Sequence, residues 1–94
     1  MPDAISELLL TEAAIDKLGA RGISIEEIYQ LIRNVNVTVR NPRSDPPDRR
    51  LLMIGRTDGG RALTLVVERT SDPTTWLTVT GWDATPRERR LLGS

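Results

Sequence analysis

The chain contains no cysteine and no histidine among its 94 residues. Without cysteine it cannot form the disulfide framework that reinforces many small extracellular domains. Without histidine it lacks the side chain that most often acts as a general acid–base, activates Ser or Cys nucleophiles and ligates zinc. Any catalysis must therefore rely on Arg, Lys, Tyr, Glu, Asp, Ser or Thr, and no metal site or cofactor is predicted.

Long apolar runs are also missing. Runs such as Leu8-Leu9-Leu10 are far shorter than a membrane span requires. No signal-like segment is evident, and together with the lack of cysteine this predicts a cytoplasmic protein. The length suits one domain, which we assign to residues 1–94.

The charge is balanced in number but not in kind. Thirteen cations match 13 anions, which argues against a protein that coats polyanions broadly. Lys17 is the only lysine, and all other cations are arginine. Arginine is preferred where planar, bidentate contacts to phosphate are made, but a GC-rich genome produces the same bias. Composition does not separate these two explanations.

The N-terminal third predicts a helical hairpin over residues 11–34. A short strand from Glu7 to Leu10 precedes a helix that begins after Thr11 and stops near Gly22. A second helix begins at Ser24, because Glu27 three residues later completes the capping-box spacing. Its apolar residues fall at helical spacing, and they include Tyr29, which is predicted to lie in the core.

Residues 35–82 predict an antiparallel sheet. The period changes from 3.6 to 2 at Val35, and a loop with three prolines follows over residues 41–48. Two apolar runs then flank Thr57-Asp58-Gly59-Gly60, which is a strong hairpin signal. A further turn at Ser71-Asp72-Pro73 leads to a strand from Trp76 to Trp82, whose two indoles are expected to share one face.

A short helix over residues 86–92 closes the chain. Thr85 is the predicted N-cap, Pro86 occupies the first helical position and Glu88 completes a second capping box. Leu91 and Leu92 are its expected anchors on the sheet. The fold class is therefore α+β: a short first strand, an αα-hairpin, an antiparallel sheet of the four-stranded type with an Asp-Gly hairpin, and a C-terminal helix.

Several segments resemble the BrnT family of toxins, over roughly residues 17–92. The similar segments are Arg21-Gly22-Ile23-Ser24-Ile25-Glu26-Glu27, Ile54-Gly55-Arg56-Thr57-Asp58-Gly59-Gly60-Arg61, Leu65-Val66-Val67-Glu68-Arg69 and Ala84-Thr85-Pro86-Arg87-Glu88-Arg89-Arg90. The resemblance implies a RelE-like fold and a bacterial toxin of a type II toxin–antitoxin pair. It also implies metal-independent RNA cleavage and a ribbon-helix-helix antitoxin as partner. Arg21 replaces the family's histidine, and Trp82 lies where a strand-end arginine is expected.

Metal-free RNA cleavage needs a base for the 2′-hydroxyl, donors for the pentavalent phosphate and an acid for the leaving oxygen. Tyr29 is one group that could transfer protons. The candidate catalytic residues are Lys17, Arg56, Arg61 and Glu68. The candidate RNA-binding residues are Arg21, Arg40, Arg50, Trp82, Arg87 and Arg90.

Each candidate has an ordinary alternative. Arg56 and Arg61 could grip one phosphate if the turn between them has two residues, or they could be a solvated strand end. Glu68 either lies on the solvent-exposed face of its strand or pairs with an arginine. Trp82 packs in the core, stacks on a base or contacts a partner protein. The arginines of the closing helix and of the proline loop (Arg40, Arg43, Arg49, Arg50, Arg87, Arg89, Arg90) could be solvated or locally neutralised.

Two functions follow from these observations. The first is a toxin-like RNA-binding domain that could be a metal-independent endoribonuclease. The alternative is a non-catalytic module that keeps the same fold and binds a protein or a nucleic acid. The replacements at Arg21 and Trp82 favour the alternative.

Overall fold

The computed structural model describes residues 5–41 and 49–93, which form an α+β fold with a five-stranded sheet. In chain order the elements are β1 (Glu7–Leu10), α1 (Glu12–Gly19), α2 (Ile25–Arg33), β2 (Asn36–Arg40), β3 (Arg50–Arg56), β4 (Ala62–Arg69), β5 (Thr75–Asp83) and α3 (Pro86–Leu91). No helix within the described ranges is long and apolar enough to cross a membrane. The predicted proline loop, with Arg43, falls almost entirely in residues 42–48, which lie outside the described residues.

The predicted helix starts are confirmed. The Thr11 hydroxyl accepts a hydrogen bond from the Ala14 N–H at 3.1 Å, which begins α1. The Ser24 hydroxyl and the Glu27 carboxylate each accept a hydrogen bond from the other's backbone N–H, which completes the capping box of α2. These caps satisfy backbone groups that would otherwise lack partners at the helix ends.

A Schellman motif joins the two helices. Gly22 has a φ of 74°, which a residue with a Cβ adopts only with strain. The Ile23 N–H donates to the Leu18 carbonyl at 2.9 Å, and both side chains are buried in the core. The turn therefore folds α2 back against α1 on the same face of the sheet.

The strand order is β1-β5-β4-β3-β2. Each of the strands β2, β3 and β4 pairs antiparallel with the strand that follows it, which agrees with the prediction. β1 adds a fifth strand in parallel with β5, with Leu8 opposite Trp76. The sheet therefore has five strands rather than four, and it is mixed rather than purely antiparallel. Parallel pairing of distant segments involves no tight turn, and so the sequence gives no local signal for it.

A β-bulge divides β5 into two halves. Val66 and Val67 are consecutive in β4, but they lie opposite Thr80 and Thr78 of β5. Val79 is therefore left without a cross-strand partner. The extra residue reverses the alternation of faces. Trp76 is therefore 1% exposed in the helix-side core, whereas Trp82 lies half-buried on the other face of the sheet. The prediction that both indoles share a face is wrong for this reason.

The sheet buries both of its faces. On one face, the apolar side of the αα-hairpin packs on β4 and its neighbours in a core that includes Leu18, Leu31 and Leu65. On the other face, Leu92 packs against a smaller cluster around Ile54. α3 is thus held on the side of the sheet opposite α1 and α2.

Three apolar residues lie further out than predicted. Tyr29 is 44% exposed because Ile28 and Leu31 already fill the inward side of α2. Val35 is 81% exposed, since β2 begins only at the next residue. Leu91 is 49% exposed, and Leu92 rather than Leu91 packs against the sheet at the end of α3.

Gly81 offers a test of the packing between β4 and β5. A Cβ at Gly81 would lie 2.7 Å from a methyl group of Leu65 and 2.9 Å from the Thr64 carbonyl oxygen. The carbonyl belongs to the strand ladder and has little room to move. We expect Gly81→Ala to lower the free energy of unfolding by about 1–3 kcal/mol, measured by chemical denaturation.

The matched control is Gly19→Ala at the end of α1. A Cβ there meets nothing within 4 Å. Because alanine favours the helix more than glycine does, this change should leave the free energy of unfolding unaltered or raise it by up to about 1 kcal/mol. Equal losses in the two variants would contradict the tight packing at Gly81.

Candidate nucleic-acid interface

Several arginines gather at one end of the sheet, which we call the hairpin end: the 57–61 turn, the adjoining ends of β3 and β5, and α3. Arg56 pairs with Ala62 across the hairpin, and Asp83 ends β5 beside β4. α3 begins three residues after β5 ends, so its arginines lie at the same end. The order of strands and helix along the chain therefore brings these arginines to one end of the sheet, together with the carboxylates Asp58, Asp83 and Glu88.

Glu88 fixes α3 to the sheet. Its Oε1 accepts hydrogen bonds from the Thr85 N–H at 2.9 Å, from the Thr64 hydroxyl at 2.9 Å and from the Trp82 indole N–H at 3.1 Å. A helix of six residues has little stability of its own, so these contacts and Leu92 must hold it. They leave the side chains of α3 on its outer side exposed.

The same contacts keep Glu88 ionised. Burial raises the pKa of the Glu88 carboxyl, but the hydrogen bonds from Thr85, Trp82 and Thr64 together outweigh burial. The pKa therefore lies below the ordinary glutamate value. Glu88 is then a fixed anion beneath the arginines of α3, and a poor proton donor near neutral pH.

Arg87 and Arg90 lie on the exposed side of α3. They are three residues apart in a helix, so their side chains leave the same face. Arg89 instead turns back, and its Nε donates to the Ala84 carbonyl at 3.2 Å. α3 therefore presents Arg87 and Arg90 together on one exposed face, whereas Arg89, although exposed, is hydrogen-bonded to the backbone.

Arg61 joins three elements at the hairpin end. Its Nε donates to Asp83 at 2.7 Å, and its Nη1 donates to the Gly22 carbonyl at 2.8 Å and to Glu27 at 3.2 Å. The bond to Asp83 raises the pKa of Arg61 above its ordinary value. In turn Arg61 lowers the pKa of Asp83, and the Ser24 N–H and Arg61 together lower that of Glu27.

Arg56 and Arg61 do not share a phosphate-sized site. The hairpin turn has three residues rather than two: Thr57 pairs with Arg61, and Gly60 takes a φ of 88°. Arg56 follows Ile54 by two residues, so it lies on the α3 side, where its Nη1 donates to the Gly60 carbonyl at 3.1 Å. The guanidinium of Arg61 is engaged on the α2 side.

The other candidate catalytic residues lie elsewhere. Lys17 is exposed on α1, on the opposite side of the sheet from α3. Glu68 lies near the far end of β4, about 20 Å from the hairpin end at 3.4 Å per residue. It pairs with Arg50 at 2.8 Å, with Arg49 more distant at 3.8 Å, so of the two alternatives for Glu68 the pairing with arginine is the one observed.

The remaining candidate RNA-binding residues are divided between the two ends of the sheet. Arg40 ends β2 opposite Leu51, at the same far end as Arg50. Arg21 lies nearer the hairpin end, but its Nη1 donates to the Gly81 carbonyl at 2.9 Å on the side of α1 and α2. Trp82 is half-buried, with its indole N–H engaged by Glu88.

A pocket of about 400 Å³ opens at the hairpin end, lined by Asn34, Val35, Arg56, Thr57, Asp58 and Leu92. Only Arg56 of these residues is predicted from sequence as part of a site. Asn34 and Asp58 appear there merely as a helix end and a turn. Their convergence depends on how α2 and the hairpin meet in space, for which the linear pattern contains no signal.

Glu88 is another side chain of the candidate site whose contacts are only partly predictable from the sequence. Its spacing from Thr85 predicts the capping box and nothing more. Its contacts with Thr64 and Trp82 require the pairing of β4 with β5 and the bulge that turns Trp82 to this face. No group of three or more acidic residues suited to hold a metal ion occurs within residues 5–41 and 49–93.

A family described as a domain of unknown function (DUF4258) matches residues 10–80, from the last residue of β1 into β5. The description assigns no activity. No curated protein and no solved structure matches the chain. The geometry of the hairpin end therefore has to carry any functional argument.

The lowered pKa of Glu88 predicts how stability depends on pH. A carboxyl whose folded pKa is below its unfolded value of about 4.3 stabilises the fold when ionised, and loses that contribution as pH falls through the folded pKa. We expect the free energy of unfolding to decrease between about pH 5 and pH 3, and to decrease less steeply in Glu88→Gln. Denaturation at each pH measures both slopes.

The matched control is Glu7→Gln, at an exposed position on the edge strand β1. It removes one carboxylate without touching the α3 contacts. Its slope should follow the unaltered chain. If the free energy of unfolding of Glu88→Gln falls with pH as steeply as that of Glu7→Gln, the charge of Glu88 contributes nothing to stability.

Proposed function

We propose that this chain, which belongs to the DUF4258 family, is a toxin-like RNA-binding domain of a type II toxin–antitoxin pair. The observation that carries the proposal is the exposed pair Arg87 and Arg90 on α3, a helix that Glu88 and Leu92 fasten to the sheet. The sequence resemblance to BrnT toxins motivates the toxin part of the proposal. The arginine geometry motivates the RNA part.

Two arginines on one rigid face suit a phosphate backbone for a physical reason. Guanidinium groups form paired, charge-assisted hydrogen bonds with phosphate oxygens. A fixed helix reduces the conformational entropy lost on binding, since only the side chains must be ordered. Arg56, on the same side of the sheet, extends this basic surface toward the pocket.

The finer form of the proposal is a metal-independent endoribonuclease. It needs donors for the phosphate together with groups that transfer protons. Arg56 and Arg87 would bind the phosphate, and Lys17 or Glu68 would transfer protons. The distance of Lys17 and Glu68 from the hairpin end argues for the second candidate function, a module that binds RNA or a protein without cleaving it.

The proposed partner is an antitoxin of the ribbon-helix-helix type, and the proposed compartment is the cytoplasm. Both come from the resemblance and from the composition of the chain. Co-expression with the product of a neighbouring ribbon-helix-helix reading frame tests the partner directly. A stable complex that relieves growth arrest would support the pair.

Charge removal on α3 tests RNA binding. We expect Arg87→Ala/Arg90→Ala to weaken binding to a mixed-sequence single-stranded RNA, measured by fluorescence anisotropy. If each arginine neutralises one phosphate, the slope of log K against log salt should fall by about 1.4 for the pair. The free energy of unfolding should stay within about 0.5 kcal/mol, because both positions are exposed.

The control is Arg40→Ala/Arg49→Ala, which removes the same charge from the far end of the sheet. It should change the salt slope much less. Equal changes in both double variants would indicate a diffuse electrostatic attraction and would contradict an interface at α3.

A cleavage assay separates the enzyme from the binding module. Purified chain is incubated with total RNA, with and without a chelator, and its expression is tested for growth arrest. Cleavage that persists in chelator, together with arrest, is expected of the endoribonuclease. RNA binding without cleavage selects the non-catalytic candidate, and a chain that binds no RNA refutes both RNA-based functions.

A further inference from the structure

The pocket at the hairpin end is built from three separate segments. Asn34 and Val35 come from the connection between α2 and β2. Arg56, Thr57 and Asp58 come from the β3–β4 hairpin, and Leu92 closes the pocket from the end of α3. Its volume of about 400 Å³ falls in the range typical of small-molecule sites.

Hydrogen bonds preorganise the polar wall of this pocket. The Asn34 side-chain amide donates to the Arg56 carbonyl at 2.8 Å and to Asp58 Oδ1 at 3.0 Å. The Asp58 N–H donates to Gln30 Oε1 at 3.0 Å, and Arg33 lies 3.4 Å from Asp58 Oδ2. The last turn of α2 therefore holds the hairpin turn in place without any ligand.

The wall combines a carboxylate, a guanidinium and two apolar side chains. Asp58 retains acceptor capacity, because each carboxylate oxygen can accept two hydrogen bonds and its side chain is 58% exposed. Arg56 provides donors beside it. Val35 is 81% exposed although it is apolar, and Leu92 faces the same space. A flat ligand with a mixed polar edge would cover Val35 and satisfy Asp58.

We propose that this pocket binds a guanine nucleotide of single-stranded RNA, an inference that rests on the proposed function and specifies its substrate. Guanine presents N1–H and N2–H donors next to its O6 acceptor. Asp58 would accept from the two donors, and Arg56 would donate to O6 or N7. Val35 and Leu92 would contact the faces of the base.

Adenine and the pyrimidines fit this wall less well. Adenine presents an acceptor at N1, which would oppose the Asp58 carboxylate, and it has no O6 to accept from Arg56. Cytosine offers a single amino donor, and uracil a single N–H between two carbonyls. A carboxylate that accepts two parallel hydrogen bonds therefore selects guanine.

Titration with nucleoside monophosphates tests this selection. In amide-detected NMR, 5′-GMP should bind at least about tenfold tighter than 5′-AMP, 5′-CMP or 5′-UMP, as one bidentate contact to a base edge provides. The largest shifts should occur at Val35, Thr57 and Asp58. Equal affinities for the four nucleotides, or shifts centred elsewhere, would overturn the proposal.

Substitutions at the pocket make the test specific. Asp58→Asn should reduce the preference for GMP over AMP to about twofold or less, since the amide offers one acceptor where the carboxylate offers two. Asp72→Asn, in the exposed turn before β5, is the matched control and should keep the full preference. A full preference in Asp58→Asn would refute the assignment of Asp58.

Asp58 also contacts Asn34 and Arg33, so its replacement could disturb the turn. Val35→Glu avoids that problem, because the Val35 side chain is 81% exposed and makes little contribution to packing. It should abolish GMP binding while the free energy of unfolding remains unchanged. GMP affinity that survives this substitution would exclude the pocket as the binding site.

RNA binding is measured on the same samples, so the two proposals can fail separately. GMP selectivity at the pocket without binding of single-stranded RNA would refute the RNA-binding function and leave the pocket assignment standing. RNA binding without GMP selectivity would retain the function and refute the guanine site. Both results together support a guanine contact within a bound RNA strand.

Discussion

The central strand β4 imposes the main constraint on this fold, because six of its consecutive residues are buried. Residues that alternate between the faces of a strand can all be buried only if both faces of the sheet are covered. Leu63, Leu65 and Val67 pack under the helices α1 and α2. Ala62 and Thr64 lie on the other face, which α3 covers through Leu92 and Glu88. The short C-terminal helix therefore covers part of the second face of the sheet, although none of its own residues is buried.

The coverage of both faces of the sheet also gives the arginines different structural roles. Arg61 immediately precedes β4 and is engaged by Glu27, Asp83 and the Gly22 carbonyl, so it joins α2 to the adjoining ends of β4 and β5. Arg87 and Arg90 lie on the outer side of a helix whose inner side is occupied. One guanidinium thus contributes to the fold, while the other two remain exposed to solvent. A residue count cannot distinguish these roles, which depend on the partners that the topology supplies.

Sequence patterns predict the local features well and the long-range ones poorly. The capping boxes at Ser24 and Thr85 and the Asp58-Gly59 turn are signalled within four residues, and all are present. The parallel pairing of β1, the bulge at Val79 and the three-residue length of the hairpin turn depend on the assembled sheet. Those three features decide which residues meet. They separate Arg56 from Arg61 and turn Trp82 toward Glu88, so the candidate site could be predicted in its residue types but not in its geometry.

The parallel pairing of β1 with β5 has a consequence for biosynthesis. β1 is made before the other elements, yet its partner strand β5 follows two helices and three further strands along the chain. A nascent chain can form the αα-hairpin and the β3–β4 hairpin early, because their contacts are local. It cannot complete the sheet until β5 has left the ribosome, and α3 with its arginines emerges later still. A chain still in synthesis therefore presents Arg87 and Arg90 on a fixed helix only after β5 has paired and α3 has emerged.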